Sequence, residues 1–298
     1  MIVAVTDGEP RVLTIEHGQA LPSGPFEPGH RSLQAGLRSW VETQTRHPLG
    51  YVEQLYTFAD LDRKKEARGR AVSVSYLGLT REVPSETGWD AAWTPWYRFF
   101  PWEDLRCTAA PVSHGSLGAA LTAWADAAGD PAAVLARRRR VEINFGLGGQ
   151  KWNEELVLQR YELLWEAGLV AESPAAVKPL PPTLGAALGR PMQHDHRRIL
   201  ATGVARLRAK IKYRPVVFEL MPPTFTLLQL QRTVEALGGR LLHKQNFRRL
   251  IDQQDLVEET GEVTTGTGGR PAKLFRFRGE VLAERLVAGT KLPLVRAV

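Results

Sequence analysis

The chain contains one cysteine, Cys107, among its 298 residues. A single cysteine excludes an intramolecular disulfide and a cysteine-rich zinc site. Apolar runs long enough to span a bilayer are also lacking. The first residues, MIVAVTDGEPRV, have neither the basic stretch nor the apolar core of a secretory signal. We therefore expect a cytoplasmic protein that does not depend on disulfides.

Positive charge is unevenly distributed along the chain. The net charge is +7, but residues 190–298 hold 20 Lys and Arg against 10 Asp and Glu, whereas residues 1–189 hold 19 against 22. A length of 298 residues exceeds that of a usual single domain. We predict two domains, 1–212 and 213–298, and we expect the second, basic one to favour an anionic partner.

The front half has mixed strand and helix patterns. Turn residues, helical spacing of apolar residues and β-rich runs are the signals. In chain order they predict a hairpin over 1–15 that turns at Asp7–Pro10, a helix over 32–45, and strands over 51–58 and 71–79. The run GWDAAWTPWYRFFPW, at 88–102, is dense in aromatic residues. Because one ligand ring does not need so many partners, we expect this run to pack in the core or at a dimer interface, although stacking on an adenine stays an alternative.

The middle of the chain, 109–189, is predicted to be a mainly helical insertion. Helices are indicated over 117–136 and 152–168, with Arg137–Arg140 at a solvated helix end between them. Residues 173–191 are rich in proline, alanine and glycine and predict an irregular connection.

The rear of the chain has the order of parts of a winged helix. We predict a helix over 195–211, a strand over 216–220, and a helix over 227–237 that Thr226 caps and Gly238-Gly239 closes. A short basic helix and two strand-like runs around a glycine-rich loop follow, over 240–278. A recognition helix followed by a β-hairpin can present cations to DNA phosphates and amides to base edges.

A segment of the front half resembles the Nudix box, G-x5-E-x7-R-E-U-x-E-E-x-G-U, whose carboxylates hold Mg²⁺ against a diphosphate. Gly24 occupies the first glycine position, Arg38 keeps the arginine and Glu42 keeps one acid of the metal-binding pair. The other acidic positions are filled by His30, Ser39 and Thr43. Because Mg²⁺ is held through oxygen ligands, commonly carboxylates, Glu42 alone is a poor anchor. We therefore predict a Nudix-like domain that is not an enzyme and holds no metal.

Further segments extend the resemblance to a family. HDHRRIL at 194–200, YRPVVFELMPPTFT at 213–226, NFRR at 246–249 and GRPAKLFRF at 269–277 are similar to the Nudix-related transcriptional regulators, the NrtR family. The resemblance covers 1–108 and 190–280. It implies an α+β protein: an N-terminal Nudix-like α/β/α sandwich, here with a helical insertion, followed by a C-terminal winged-helix domain.

The same resemblance implies a function. Such regulators are homodimers that bind palindromic operator DNA near genes of NAD or sugar metabolism. They release the DNA when ADP-ribose or a related nucleotide binds the Nudix domain. No resident cofactor is implied, and the expected partners are operator DNA, the nucleotide effector and a second copy of the chain.

Candidate contacts follow for both partners. For DNA, basic and polar residues of the rear helices and wing are predicted: Thr226, Lys244, Gln245, Asn246, Arg248, Arg249, Arg270 and Lys273. The helix phase leaves open whether Arg248 faces the core instead. For the effector, three arginines suited to phosphate and three residues near the pocket are predicted: Arg38, Arg68, Arg70, Glu42, Tyr56 and Phe58. For each arginine a plain surface position is the alternative, and for Tyr56 and Phe58 the alternative is core packing.

Two other functions stay open. An active Nudix hydrolase of ADP-ribose or a nucleoside diphosphate derivative would need metal ligands from outside the box, for example Glu53. A metabolite-binding adaptor would use the winged helix to contact protein instead of DNA, which the positive charge of the rear half disfavours.

Overall fold

The computed structural model describes residues 1–47, 49–59, 72–82, 90–106, 112–176, 179–264 and 271–280. Its helices are α1 Leu33–Thr45, α2 Val112–Asp126, α3 Pro131–Phe145, α4 Val157–Glu166, α5 Pro182–Ala187, α6 His196–Lys210, α7 Leu227–Gly238 and α8 Lys244–Gln254. Its strands are β1 Ile2–Thr6, β2 Glu9–Thr14, β3 Tyr51–Phe58, β4 Ser73–Leu79, β5 Ala92–Pro95, β6 Val257–Val263 and β7 Lys273–Phe277. Among the helices described, none combines the length and apolar character needed to cross a bilayer.

The front half is built on a five-stranded mixed sheet in the order β3-β4-β1-β2-β5. β1 and β4 run parallel and the other neighbours antiparallel. The predicted hairpin is confirmed: Asp7 and Gly8 both have positive φ, 53° and 74°, as two-residue hairpin turns require. The predicted helix at 32–45 is also confirmed as α1, which Ser32 caps by accepting a hydrogen bond from the Ala35 amide at 3.1 Å.

Both faces of this sheet are covered. Successive strand residues point to opposite sides, so neighbouring residues pack in different clusters. Val3 and Val12 face the larger core, to which α6 contributes Leu200 and Val204. Their neighbours Ile2 and Leu13 face a smaller cluster, to which α1 contributes Val41. The sheet is therefore sandwiched between α1 on one side and α6 on the other, as predicted.

The helices of 112–166 share the larger core of the front half. The aromatic run supplies its centre, because Trp96, Phe99, Phe100 and Trp102 are almost wholly buried there. The same core includes Leu121 of α2 and further apolar residues of α3 and α4. Core packing, one of the two roles expected for the aromatic run, is therefore confirmed.

Two helix predictions in this region were wrong. The helix predicted over 117–136 is two helices, because Asp130 interrupts it and caps α3 by accepting from the amides of Ala132 and Ala133 at 3.0 Å. Arg137–Arg140 consequently lies inside α3 instead of at a helix end. Residues 173–191, predicted as irregular, also contain the short helix α5.

The rear half consists of α7, α8 and the antiparallel β6–β7 hairpin, the predicted order of a winged helix. The predicted cap is confirmed: the Thr226 hydroxyl and the Gln229 side chain form a reciprocal capping box, and Gly239 ends α7 with φ +68°. The strand predicted over 216–220 was wrong. Val216–Leu220 forms a 3-10 helix, which buries Val217 and Leu220 and stacks Phe218 on Phe277 with ring centroids 4.2 Å apart.

Candidate effector cavity and nucleic-acid interface

A cavity of about 750 Å³ opens at the edge of the front sheet. Four elements form its walls: the loop 21–26, α1, the start of β4 and the first turn of α6. Concave sites of this size accept small organic ligands. The loop and α1 are the segments that resemble the Nudix box, so part of the cavity wall is formed by that segment.

The loop is fixed to α1 through Gly24 and Trp40. A Cβ atom at Gly24 would lie 2.2 Å from the Trp40 ring, so no larger residue fits there. The Trp40 indole donates to the Pro25 carbonyl at 2.8 Å. The Gln44 side chain accepts from the Ser23 amide and donates to the Ser23 carbonyl, at 3.0 and 2.8 Å. Gly24, at the glycine position of the box motif, therefore lets the loop pack directly against the Trp40 ring.

His30, which occupies an acidic position of the box motif, lies among aromatic rings. His30 accepts a hydrogen bond from the Glu27 amide through Nδ1 at 3.1 Å. Its ring lies 5.8 Å from Phe26 and 6.5 Å from Trp40, centroid to centroid. A Cβ at Gly36 would lie 2.7 Å from His30 Nδ1, so the ring packs directly against α1 at this glycine. The cavity thus offers flat π-surfaces suited to a planar heterocycle.

Two histidines at the start of α6 complete the cavity. His196 Nδ1 accepts from the Leu21 amide at 3.0 Å, which places the proton of its neutral ring on Nε2. The His194 ring lies 5.9 Å away from the His196 ring. The first turn of α6 is therefore tied directly to the cavity loop.

Of the residues predicted from sequence for the effector, the four that the structure describes do not line this cavity. Arg38 donates to the backbone carbonyls of Leu49 and Gly50, and so fixes the turn after α1. Glu42 is exposed on the same helix, Tyr56 is exposed on β3, and Phe58 is buried beneath Arg198. Arg68 and Arg70 lie outside the described residues.

Sequence reasoning missed Phe26, His30, Trp40, His194 and His196 as cavity residues. The available signals were a histidine where the motif expects an acid, and the HDH sequence before a helix.

Glu53, the carboxylate considered for a metal outside the box, is already engaged. It pairs with Lys210 and accepts from the Tyr51 hydroxyl at 2.7 Å. Burial would raise its pKa, but these two donors outweigh that effect and hold the pKa below its ordinary value. Within the described ranges, no group of three or more His, Cys, Asp or Glu residues could hold a metal ion.

The predicted DNA contacts lie mainly on one helix. In α8 only Phe247 is fully buried, whereas the five predicted side chains all project into solvent: Lys244, Gln245, Asn246, Arg248 and Arg249. Arg248 therefore does not face the core. Such a surface has the cations and amides that phosphates and base edges require.

The other predicted contacts are placed differently. Lys273, at the start of β7, pairs with Glu259 across the hairpin at 2.8 Å. Its ammonium group is therefore already engaged by a carboxylate. Thr226 is almost buried, and its hydroxyl is used in the capping box. Arg270 lies outside the described residues.

A buried ion triad joins the two halves of the chain. Glu103 accepts from Arg160 of α4 at 2.5 and 2.9 Å and from Arg208 of α6 at 2.5 Å, and all three side chains are at most 1% exposed. Arg208 also donates to the Leu237 carbonyl, at the end of α7, at 2.9 Å. A carboxylate that satisfies two guanidinium groups at this depth links the insertion, the front half and the winged helix.

Backbone contacts reinforce this junction. The Tyr97 hydroxyl donates to the Ala236 carbonyl at 2.6 Å, and the Leu105 amide donates to the Gly239 carbonyl at 2.7 Å. The end of α7 is therefore held by the aromatic segment of the front half.

Comparison with known proteins finds a family match within the rear half. The NrtR DNA-binding winged helix domain family matches residues 217–277. A curated relative, the "ADPR responsive transcriptional repressor NtrR" of Acinetobacter baylyi, is 41% identical over 95 residues. That stretch is 32% of this chain and 38% of the relative, so the match spans less than half of either protein.

Solved structures show the same overall fold. NrtR of Shewanella oneidensis, complexed with a 27mer DNA, superposes with a TM-score of 0.55 at 20% identity, over 95% of this chain and 93% of that one. The same protein without DNA gives 0.53 at 20% identity, over 93% and 91%. A MutT/nudix family protein from Enterococcus faecalis gives 0.52 at 17% identity, over 93% and 83%. At these identities the similarity shows the fold.

Proposed function

Because this chain joins a Nudix-like domain to a winged helix domain of the NrtR type, we propose that it is a transcriptional repressor controlled by ADP-ribose or a closely related nucleotide. The observation that carries the proposal is the exposed cationic and amide face of α8, inside the segment that matches the family of DNA-binding domains. Because operator DNA is the proposed partner, we expect the protein to act in the cytoplasm.

The effector assignment has its own support. The cavity of about 750 Å³ occupies the Nudix-box position and offers rings for an adenine base. The relative from Acinetobacter is named as responsive to ADP-ribose. With the acidic positions of the box filled by His30, Ser39 and Thr43, we propose that the domain binds its nucleotide without cleaving it.

We also propose that the active species is a homodimer. One winged helix reads a short half-site, and two copies are needed to reach useful affinity and specificity. A palindromic operator with half-sites about one helical turn apart is the expected counterpart.

The DNA assignment is tested by Arg249→Ala. Because Arg249 is an exposed cation on α8, its removal is expected to weaken operator binding about 5- to 50-fold and to reduce the slope of log K against log salt by about one. The measurement is fluorescence anisotropy on an operator recovered from genomic fragments, at several salt concentrations. Arg81→Ala, an exposed arginine of the front half, removes the same charge and should change neither value. An unchanged slope in Arg249→Ala would remove this residue from the interface.

The effector assignment is tested by Gly24→Ala. The added methyl group displaces the Trp40 ring and thereby distorts the cavity wall. We expect ADP-ribose affinity to fall at least about tenfold in calorimetry, since well-placed rings contribute about 1–3 kcal/mol. Gly29→Ala is the matched control, because its Cβ would meet no atom within 4 Å. Equal affinities in the two variants would show that the nucleotide binds elsewhere.

The second candidate function is hydrolysis of ADP-ribose or a nucleoside diphosphate derivative, which the Nudix-like frame and the retained Glu42 favour. Incubating the protein with ADP-ribose and Mg²⁺ and measuring AMP release discriminates the hydrolase from the repressor. Turnover that is abolished in Glu42→Gln would establish the hydrolase. Operator binding without turnover supports the repressor, whereas a winged helix that selects no DNA would favour the protein-binding adaptor.

A further inference from the structure

A second cavity, of about 580 Å³, lies behind α8. Its walls are the end of α6, the segment 212–218, α7 and the inner face of α8. Side chains from each wall are apolar, for example Ile211, Val217, Val234 and Ile251. The cavity is separate from the effector cavity, since the two have no residue in common.

The mouth of this second cavity leaves large apolar side chains in solvent. Leu241 and Leu250 line the cavity, yet they are 60% and 51% exposed, and Tyr213 beside them is 68% exposed. Single exposed leucines are common, but several around one opening indicate an interaction site. An apolar ligand body that enters here would remove these side chains from water.

The positive charge of two arginines at the mouth favours a ligand with an anionic head group. Arg214 and Arg240 line the cavity, are exposed, and form no ion pair within the described part of the chain. Of the other charged groups there, Lys212 pairs with both Glu154 and Glu155 at 2.7 and 2.6 Å, and Arg208 belongs to the buried triad. Glu154 also interacts electrostatically with Arg240, without a direct ion pair. The mouth nevertheless presents two exposed guanidinium groups that form no direct ion pair among the described residues, and these can bind a carboxylate or a similar anion.

We propose that this cavity is a binding site for an organic anion with an apolar body, such as a medium-chain carboxylate. The apolar body would occupy the space between α7 and α8, and the head group would lie between Arg214 and Arg240. If α8 contacts DNA as proposed above, a ligand in this cavity would also affect DNA binding. Phe247 and Ile251 of α8 line the cavity, whereas the predicted DNA contacts of this helix are exposed to solvent, so a ligand bound in the cavity would touch α8 directly and could alter its position.

The test uses the full-length protein and three probes that share a ten-carbon chain: decanoate, decanol and decyltrimethylammonium, each below its micellar concentration. Binding is measured by calorimetry. Decanoate is expected to bind saturably at one site per chain, at least about tenfold tighter than decanol, because a hydrogen bond between two charged groups is stronger than one to a neutral hydroxyl. The cationic probe is expected not to bind. Equal affinity for all three probes, or no saturable binding of decanoate, would overturn the proposal.

Two variants locate the binding. Arg240→Gln removes one mouth charge and is expected to weaken decanoate about 3- to 10-fold, while Arg232→Gln, an exposed arginine of α7 that does not line the cavity, leaves it unchanged. Val234→Phe fills the cavity and is expected to abolish binding, with circular dichroism used to verify folding. Unaltered decanoate affinity in both Arg240→Gln and Val234→Phe would refute the site.

The coupling to α8 is measured separately from the binding. Decanoate is expected to change operator affinity in the wild type and not in Val234→Phe. If decanoate binds with the stated charge dependence and operator affinity stays constant, the site stands and its coupling to α8 is refuted. If the ligand-free protein binds no operator, the repressor assignment fails, while the decanoate titrations still decide the cavity.

Discussion

Replacing Glu103 with alanine is expected to lower the free energy of unfolding by about 3–5 kcal/mol, because it leaves two buried guanidinium groups without their carboxylate. Arg160 and Arg208 are wholly buried, and both donate to Glu103 at 2.5 Å. Neither can reach water when the carboxylate is removed. Urea denaturation followed by circular dichroism measures the loss, and a change below about 1 kcal/mol would contradict the assigned burial.

The matched control is Glu166→Ala. Glu166 also pairs with an arginine, Arg140 at 2.5 Å, but both side chains are more than two-fifths exposed. Water therefore screens the pair, and we expect a loss below about 1 kcal/mol. The two variants delete the same chemical group and differ in the depth at which it lies.

Acid titration provides a second measurement on Glu103. Burial would raise the pKa of this carboxyl, but Arg160 and Arg208 outweigh burial and hold it below 4.5. Because the folded-state pKa is depressed, the stabilisation is present above about pH 4.5 and is lost as the pH falls through the folded-state value. Glu103→Gln, which cannot titrate, is expected to lack this acid-dependent loss.

The second large effect is expected for Gly239→Ala. A Cβ at this position would lie 2.2 Å from the Glu103 carbonyl oxygen, and the residue has φ +68°, which disfavours alanine. Because the Glu103 carbonyl belongs to the backbone and cannot rotate away as a side chain would, the end of α7 has to move away from the front half. We expect a loss of about 3 kcal/mol or more, with the winged helix unfolding before the rest in a calorimetric scan.

Gly238→Ala is the control for this substitution. Gly238 is the last residue of α7, and a Cβ there would meet no atom within 4 Å. Alanine in a helix is favoured over glycine by about 0.5–1 kcal/mol, so a neutral or slightly stabilising change is expected. If both variants unfold in one step with similar midpoints, the contact between α7 and the front half is not a determinant of stability. In an operator assay, loss of ADP-ribose-induced release in Gly239→Ala alone would assign this contact to signalling.

Elements with a strong local signal were predicted correctly from the sequence. The Asp7-Gly8 turn, the Ser32 cap of α1 and the Thr226 cap of α7 each depend on residues within four positions of one another. The run at 216–220 was misassigned because its burial fits either a strand or a 3-10 helix, and the contact that decides between them, Phe218 on Phe277, is distant in sequence.

The cavity residues were harder to predict, because they come from parts of the chain far apart. Arg38 fits a phosphate contact by type, yet the turn after α1 brings the Leu49 and Gly50 carbonyls to its guanidinium. His196 reaches the cavity only because the Leu21 amide lies beside the start of α6. The Glu103 triad joins residues 57 and 105 positions apart, and no local pattern indicates such a contact.

Helix α6 has contacts of different kinds at its two ends. Its first turn holds His196 against the cavity loop, and its last turn holds Arg208 against the end of α7. A helix of 15 residues is about 22 Å long and does not shorten or stretch appreciably under small loads. If a nucleotide occupies the cavity as proposed, a push on His196 would be transmitted along α6 to Arg208. Occupancy of the cavity and the position of α7 would then change together.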